Sequence, residues 1–291
     1  VDDTGISSEQ VDKYEGDPSV YKTLVATTWY ISMNEDVPVF KNKDLRLAIA
    51  KSINKEEYVR EVLNNGSKPI DHFVPKETFK SPNGEDFAKG VNSPLQYNPE
   101  EAKKHLEKAK KELGQDEISF TFITNDTPDS KIDAEYLKSQ IEGNLPGVHM
   151  KIKTMPGKQR ISAMAQGKYE AAMAGWAPDY ADPLTFLETM TSENPQNTSH
   201  WKNKEFDQLI KDANGTLLTR LEERDRALKD AEELLLNDAA IAPIYQMGGT
   251  KLINPQVKNI QYHKIGGDVT FKHTYIDKSI DRETGKKKDE K

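Results

Sequence analysis

The loop at residues 176–183 carries side chains suited to binding an ammonium group. Asp179 stands between two aromatic residues, Trp176 and Tyr180, and prolines at positions 178 and 183 restrict the backbone around it. A fixed carboxylate beside aromatic faces attracts a cation through its charge and through cation–π interaction. The alternative is a structural loop, in which the two rings cover the core and the aspartate caps a helix.

Asp182, three residues further along, is typical of a helix N-cap, because proline follows it at a first helical position. A hydrolase would use Asp179 and Asp182 as a carboxylate pair, as glycosidases do. No partner for proton transfer is evident, and the chain has no Gly-x-Ser-x-Gly motif. A binding protein is therefore predicted rather than an enzyme, and the carboxylate-pair hydrolase is a remote alternative.

Composition narrows the classes of ligand. The 291 residues have a net charge of −7, and their lysines alternate with acidic residues along helices, which argues against a nucleic-acid partner. The chain has no cysteine, and its six histidines show no ligand-like spacing, so we expect no metal site and no cofactor. No apolar run approaches the roughly 18–20 residues that span a bilayer.

The elements around the loop predict an α/β fold. A strand of small residues, 169–176, ends directly before the loop, and open α/β sheets bind ligands at the carboxyl ends of their strands. Helical and strand patterns alternate along the chain. The expected strands are 24–33, 118–123, 148–152, 169–176, 241–252 and 260–276. The expected helices are 45–53, a second one capped by Asn54, 98–113, 132–141, 159–166 and 206–236, the last with a break at 214–215.

Four segments, in this order, resemble the extracellular solute-binding proteins of the oligopeptide class. The match runs over residues 20–277, nearly the whole chain. The segments are Asn34 with Phe40-x-x-x-Asp44-Leu45-Arg46-x-Ala48-Ile49-x-x-Ser52-Ile53-x-Lys55; Gly175-Trp176-x-x-Asp179-Tyr180-x-x-Pro183-x-x-Phe186-Leu187; Asn197-x-Ser199-x-Trp201-x-Asn203-x-x-Phe206-Asp207; and Ala240-Ile241-Ala242-Pro243-Ile244-Tyr245.

The resemblance implies a role for individual residues. Asp179 would hold the α-ammonium group of a peptide, with Tyr180 beside it. The strand and loop from Ala174 through Gly175 and Trp176 to Ala177 would pair with the ligand's main chain as an added strand does. Trp29 would face the ligand where the chain crosses between lobes. Asn197, Ser199 and Trp201 are interpreted as mainly structural, with a place in the binding site as the alternative.

Two methionines depart from the pattern of the family. Met164 and Met173 stand where some members have arginines that meet the C-terminal carboxylate of a short peptide. Uncharged, flexible methionines at these positions imply tolerance of longer or more varied peptides. A simpler alternative is that Met164 is a core residue of its helix.

The implied fold is periplasmic-binding-protein-like, type II, with essentially one lobe plus strands of the other. Residues 1–30 would be a remnant of the first lobe, 31–246 the second lobe, 247–277 a return segment, and 278–291 a disordered charged tail. Glycines 248 and 249 suit a hinge. The early part of the first lobe, about half of the cleft and a lipid-anchored N-terminus would be absent from this chain.

The function that the resemblance implies is the substrate-binding component of an ABC-type oligopeptide importer. Its partners would be oligopeptides and a membrane permease, and it would act at the extracellular face of the membrane. The alternatives are a dipeptide, nickel or sugar ligand within the same family, and a peptide-sensing or adhesion module. The Asp179–Tyr180 pair after Trp176 favours peptides.

Overall fold

The computed structural model describes residues 3–6, 8–266 and 269–288. Its strands are β1 Asp3–Gly5, β2 Val20–Met33, β3 Lys68–Pro69, β4 Ile118–Asn125, β5 Val148–Met155, β6 Ala171–Trp176, β7 Ile241–Ile253, β8 Val257–Lys258, β9 Gln261–Tyr262, β10 Val269–Thr270 and β11 Tyr275–Ile276. Its α-helices are α1 Ser8–Val11, α2 Lys43–Lys51, α3 Lys55–Glu57, α4 Pro99–Leu113, α5 Pro128–Asn144, α6 Gly157–Ala165, α7 Leu184–Leu187, α8 Lys204–Ala213 and α9 Leu221–Asn237.

Local sequence signals set the ends of the helices. The Asn98 side chain accepts a hydrogen bond from the Glu101 N–H, Pro99 occupies the first position of α4, and Gly114 ends the helix with a φ of 65°. Glycine adopts this left-handed backbone conformation at little cost in free energy, so it is favoured at this position. Asn54 caps α3 in the same way, and a π-helical turn, Tyr58–Leu63, continues it. The helices predicted at 54 and 98–113 are confirmed.

One seven-stranded sheet organises the chain, in the order β1-β7-β2-β6-β4-β5, with β3 paired to β7 beside this path. Strands β4, β5 and β6 run parallel, whereas β2 lies antiparallel to both β6 and β7. The strands predicted at 24–33, 118–123, 148–152, 169–176 and 241–252 are confirmed as β2, β4, β5, β6 and β7. The core lies between this sheet and the helices, with Tyr30, Phe40, Phe122 and Phe186 buried in it.

The long pair β2 and β7 changes register near its middle. The shifts lie between Leu24 and Thr28 and between Trp29 and Tyr30, and such bulges bend a strand pair. The boundaries predicted at 30/31 and 246/247 fall inside these two strands, which continue through one sheet. Close packing accounts for Gly248, since a Cβ there would lie 2.2 Å from the Gly66 carbonyl carbon.

The segment after β7 has less strand than the sequence predicts. Among the described residues 260–266 and 269–276, the strands are the two-residue β9, β10 and β11, which lie outside the main sheet. Phe271, Tyr275 and Ile276 are exposed there, so the alternating pattern does not mark a buried face. The segment 278–288, predicted to be disordered, forms a turn bridged between Ile280 and Lys287, while 289–291 lie outside the described residues.

Candidate functional site

The sheet brings the 177–183 loop to the edge where its parallel strands end. The loop follows β6 directly, and two hydrogen bonds attach it to Thr185 in α7. The Asp179 N–H donates to Thr185 Oγ1 at 3.0 Å, and Trp176 Nε1 donates to the Thr185 carbonyl at 2.8 Å. The loop is therefore held in one conformation at the carboxyl edge, where ligands of open α/β sheets bind.

Asp179 presents a carboxylate to an open cavity. The residue is exposed, and within the described ranges its carboxylate has no hydrogen-bond or ion-pair partner. The cavity has a volume of about 540 Å³ and is lined by Ala177, Pro178 and Asp179 on one side. The bulge of β2, residues 247–249 of β7 and residues 262–266 form the other side. An anion without a partner at such a cavity can bind a cationic group of a ligand.

Trp176 and Tyr180 support the loop through their polar atoms. The Tyr180 hydroxyl donates to Glu188 Oε1 at 2.6 Å, and burial together with Glu188 raises the pKa of Tyr180. Both rings were predicted to flank the ammonium site. Neither ring is among the described residues that line the 540 Å³ cavity; Ala177, Pro178 and Asp179, which lie between them in the chain, line it instead.

Asp182 belongs to the scaffold. Its carboxylate accepts from the Leu184 N–H at 2.9 Å and binds Arg224 through both guanidinium nitrogens, at 2.8 and 2.9 Å. This bond from the Leu184 N–H agrees with the predicted capping role, although Pro183 and not Asp182 occupies the N-cap position of α7. Nothing in the sequence indicated Arg224, 42 positions away. With Asp182 held in this pair, a hydrolytic carboxylate pair with Asp179 has no support in the geometry.

Trp29 meets the site from β2. Trp29 is paired with Gly175 across β2 and β6, and its indole lies so close that a Cβ on Gly175 would be 2.9 Å from Trp29 Cδ2. The ring also stacks on Tyr245, with centroids 6.1 Å apart. Gly175 is therefore the residue that allows Trp29 to lie flat against β6.

A second, smaller cavity contains the remaining predicted residues. It has a volume of about 190 Å³, and its wall includes Trp29 and Met173 together with residues at the ends of β4, α5 and α6. The predicted site residues are thus divided, with Ala177 and Asp179 in the larger cavity and Trp29 and Met173 in the smaller one. Ala174 is buried in β6 between them, and Gly175 is exposed.

The smaller cavity contains a cation that the sequence analysis missed. Arg160 is 9% exposed, and its Nε donates to Asn125 Oδ1 at 2.9 Å. Its Nη1 donates to the Met173 carbonyl and lies 3.3 Å from the Met164 sulfur. Met164 is buried, as the simpler interpretation of this residue expects. The signal that could have revealed Arg160 is its spacing of four from Met164 on one helix face.

The third matching segment has a structural role, as predicted. The Asn197 side-chain amide donates to the carbonyls of Met190, Thr191 and Trp201, and Ser199 donates to Asn197 Oδ1 at 2.9 Å. The Trp201 ring packs on Phe206. These contacts fix the chain between α7 and α8.

Among residues 3–6, 8–266 and 269–288, no group of three or more His, Cys, Asp or Glu side chains is placed to hold a metal ion. Three histidines instead contact single carboxylates: His105 with Asp44, His149 with Glu117 and His200 with Asp36. None of the helices in these ranges is long and apolar enough to cross a bilayer.

Known proteins share this fold. The chain is similar to the substrate-binding domain of an oligopeptide ABC transporter from Bacillus anthracis, with a TM-score of 0.87 and 36% identity over 95% of this chain and 54% of that one. It is also similar to Listeria monocytogenes OppA bound to peptide, with a TM-score of 0.84 and 33% identity over 96% of this chain and 54% of that one. The predicted periplasmic-binding-protein-like α/β fold is confirmed by these similarities.

Similarity of sequence agrees with similarity of fold. The dipeptide-binding protein DppE of Bacillus subtilis is 34% identical over 244 residues, which are 83% of this chain and 44% of DppE. The chain thus spans about half the length of the relatives it matches. Residues 1–198 match the family described as "Bacterial extracellular solute-binding proteins, family 5 Middle". Because this match covers more than half of the chain, the protein belongs to the family 5 bacterial extracellular solute-binding proteins.

Proposed function

We propose that this chain provides peptide-binding residues in the substrate-binding component of an ABC-type oligopeptide importer. The observation that carries the proposal is the Asp179 carboxylate, exposed and without a partner among the described residues, at the wall of the 540 Å³ cavity. A peptide's α-ammonium group is the complementary cation. A carboxylate kept free at the carboxyl edge of the sheet contributes nothing to folding that the structure records, so a ligand role fits it better.

Main-chain recognition of the peptide is supported by the open edge of β6. Residues 171–176 of β6 pair with β2 on one side. On the other side, pairing with β4 involves only Ala171 and Ala172. Within the described part of the chain, Ala174, Gly175 and Trp176 therefore have no strand on that side. An extended peptide can add there through its backbone, largely independently of its sequence.

Peptides suit this site better than the alternatives of nickel or a sugar. The names of the relatives refer to peptides: DppE is a dipeptide-binding protein, and the Listeria OppA was solved with a peptide bound. Binding and release, without chemical conversion, is the activity we propose. We further propose attachment to the outer face of the cell membrane by a lipid anchor, next to the permease.

The test is to identify what the protein carries when it is purified in its full encoded length. We expect mass spectrometry to recover peptides with free N-termini, and calorimetry to show that added peptides bind and their N-acetylated forms bind poorly. Recovery of a sugar or of a stoichiometric metal would overturn the proposal. Equal affinity for free and acetylated peptides would mean that Asp179 does not bind the peptide's α-ammonium group.

A further inference from the structure

The 190 Å³ cavity beside β6 is built from both apolar and polar groups. Trp29, Tyr245 and Phe122 give aromatic walls, and Ala134 and Leu137 close the side formed by α5. Polar side chains reach it from the end of β4 and from the start of α5: Thr124, Asn125, Ser130 and Asp133. The volume is enough for one side chain with its methylene groups in contact with the rings.

Arg160 carries the strongest charge in this wall. Its Nε and Nη1 are held by Asn125, Met173 and Met164, whereas its Nη2 has no acceptor within hydrogen-bond distance in the described ranges. Within the same ranges no carboxylate lies within 4.0 Å of the guanidinium. A nearly buried charge normally has a paired counter-charge, since desolvation is costly. Burial alone lowers the pKa of Arg160, and no acidic neighbour opposes that effect.

A second donor beside the cavity also lacks a partner. The Trp29 indole N–H is buried and has no acceptor in the described part of the chain. Buried N–H groups are rarely left without one. Two unsatisfied donors in the wall of one cavity, one of them charged, point to an anionic acceptor supplied from outside the chain.

Asp133 is the acidic group that faces the same cavity. Burial raises its pKa to about 6, while hydrogen bonding lowers it and Asp129 adds a further rise. At pH 7 Asp133 is still mainly ionised, but Arg160 is not among the groups that shift its pKa, so the two charges are not paired across the cavity. Arg160 remains charged throughout the neutral range, and within the described ranges no carboxylate lies at ion-pair distance from it.

We propose that this cavity receives a carboxylate of the bound peptide, with Arg160 as the residue that selects it. The proposal rests on the proposed function. The open edge of β6 places an added strand beside the cavity, and alternate side chains of a strand point to the same face. An aspartate or glutamate side chain fits the aromatic walls and the depth of the cavity, and the C-terminal carboxylate of a short peptide is the second source of the same chemistry.

The test uses the 291-residue chain and small probes at pH 7. The indole N–H signals of Trp29, Trp176 and Trp201 are followed by two-dimensional NMR while four compounds are added. N-acetyl-glutamate methylamide presents an acidic side chain, and N-acetyl-glutamine methylamide is its neutral isostere. N-acetylglycine presents a terminal carboxylate, and N-acetyl-lysine methylamide presents a cation.

We expect the glutamate probe to shift the Trp29 signal at millimolar concentration, with at least tenfold weaker binding of the glutamine probe. In Arg160→Gln this preference should disappear, and in Arg160→Lys it should persist. Lys158→Gln, which removes an exposed charge from the same helix, should behave as wild type. The Trp176 and Trp201 signals report whether each variant is folded. If Arg160→Gln does not fold, the comparison of the glutamate and glutamine probes on the wild-type protein tests the proposal.

Other results would overturn the assignment. They are a Trp29 signal that neither carboxylate probe shifts, equal shifts caused by the glutamate and glutamine probes, or preference for the lysine probe. A shift with N-acetylglycine alone assigns the carboxylate to the peptide's C-terminus and supports the proposal. Peptides recovered from the purified protein together with an unshifted Trp29 would remove this subsite and leave the proposed function intact.

Discussion

The Trp29 ring lies so close to the backbone of Gly175 that a side chain at position 175 would clash with it. The two residues are partners across β2 and β6, and a Cβ on Gly175 would meet three ring carbons of Trp29 at 2.9–3.1 Å. Gly175 is on β6, which leads directly to Ala177 in the wall of the larger cavity, whereas the Trp29 ring lines the smaller cavity. The position of Trp29 thus links the two parts of the candidate site.

Replacing this glycine should disturb both cavities. In Gly175→Ala the indole must move, and we expect a loss of about 1–3 kcal/mol in the free energy of unfolding. The Trp29 indole N–H signal should shift as well. Urea denaturation and NMR measure the two effects.

Gly143→Ala is the matched control. Gly143 lies in α5, and a Cβ there would meet nothing within 4 Å. Helix propensity predicts a gain of about 0.5–1 kcal/mol for that change. If both variants unfolded at the same urea concentration, the close contact between Trp29 and Gly175 would be wrong.

The pair formed by Asp182 and Arg224 should stabilise the fold without affecting ligand binding. The two side chains are 29% and 15% exposed, so the pair is only partly screened by water. Asp182→Asn keeps an acceptor for the Leu184 N–H and removes the charge. We expect a loss of about 1–2 kcal/mol in stability, between the values of exposed and buried pairs.

A double-mutant cycle with Arg224→Met separates the pair from its other contacts, including the bond from Arg224 Nε to the Ala213 carbonyl. A coupling energy near zero would mean that the bidentate geometry contributes nothing. Peptide affinity of the full-length protein should be the same in both single variants. A large loss of peptide affinity in Asp182→Asn would mean that Asp182 takes part in ligand binding.

The sequence predicted those features that depend on neighbours in the chain. Asn98, Pro99 and Gly114 define α4 through contacts within one turn, and β6 is recognisable from its own small apolar residues. The partners of Asp182 and Arg160 escaped prediction because they come from distant elements. Arg224 is on α9, and Asn125 and Met173 are on β4 and β6. Only the packing of these elements shows that Arg160 reaches the space beside Met164 and Met173, where the sequence alone indicated no charge.

Glu232 should make the stability of the protein depend on pH. The residue is fully buried, its Oε1 accepts from the Phe73 and Val74 N–H groups at 2.9 Å, and its Oε2 has no partner among the described residues. Burial raises the pKa of Glu232 to about 8, against an ordinary value of 4.5. Between these values the folded state binds more protons than the unfolded state, so stability falls as the pH rises.

Glu232→Gln removes this titration while keeping an oxygen for both N–H groups. Between pH 5 and pH 7.5 we expect the wild type to lose about 3 kcal/mol relative to the variant, at about 1.4 kcal/mol per pH unit. Glu35, whose pKa burial raises to about 7, contributes in the same direction in both proteins and cancels in the comparison. Glu222→Gln, an exposed change on the same helix, is the control. Parallel stability curves for the wild type and Glu232→Gln would contradict the prediction.

Asp179 gives the most direct prediction about binding. In the full-length protein, closure of the cleft would bury the peptide, and its α-ammonium group would pair with Asp179 away from water. Asp179→Asn keeps the shape and removes the charge, so we expect a loss of about 2–5 kcal/mol in peptide affinity. In the 291-residue chain, where Asp179 is exposed, the same contact should contribute about 1 kcal/mol or less.

The control for Asp179 must be an aspartate without a structural partner, which excludes Asp182. Asp230 on α9 is exposed and lines neither cavity, and Asp230→Asn makes the same change of charge. Calorimetry with free and N-acetylated peptides should show that acetylation weakens binding to the wild type and to Asp230→Asn. It should have little further effect on Asp179→Asn, because the variant has already lost the interaction with the ammonium group. If acetylation instead weakened binding equally in all three proteins, another group would hold the N-terminus, and Asp179 would have no role as its anchor.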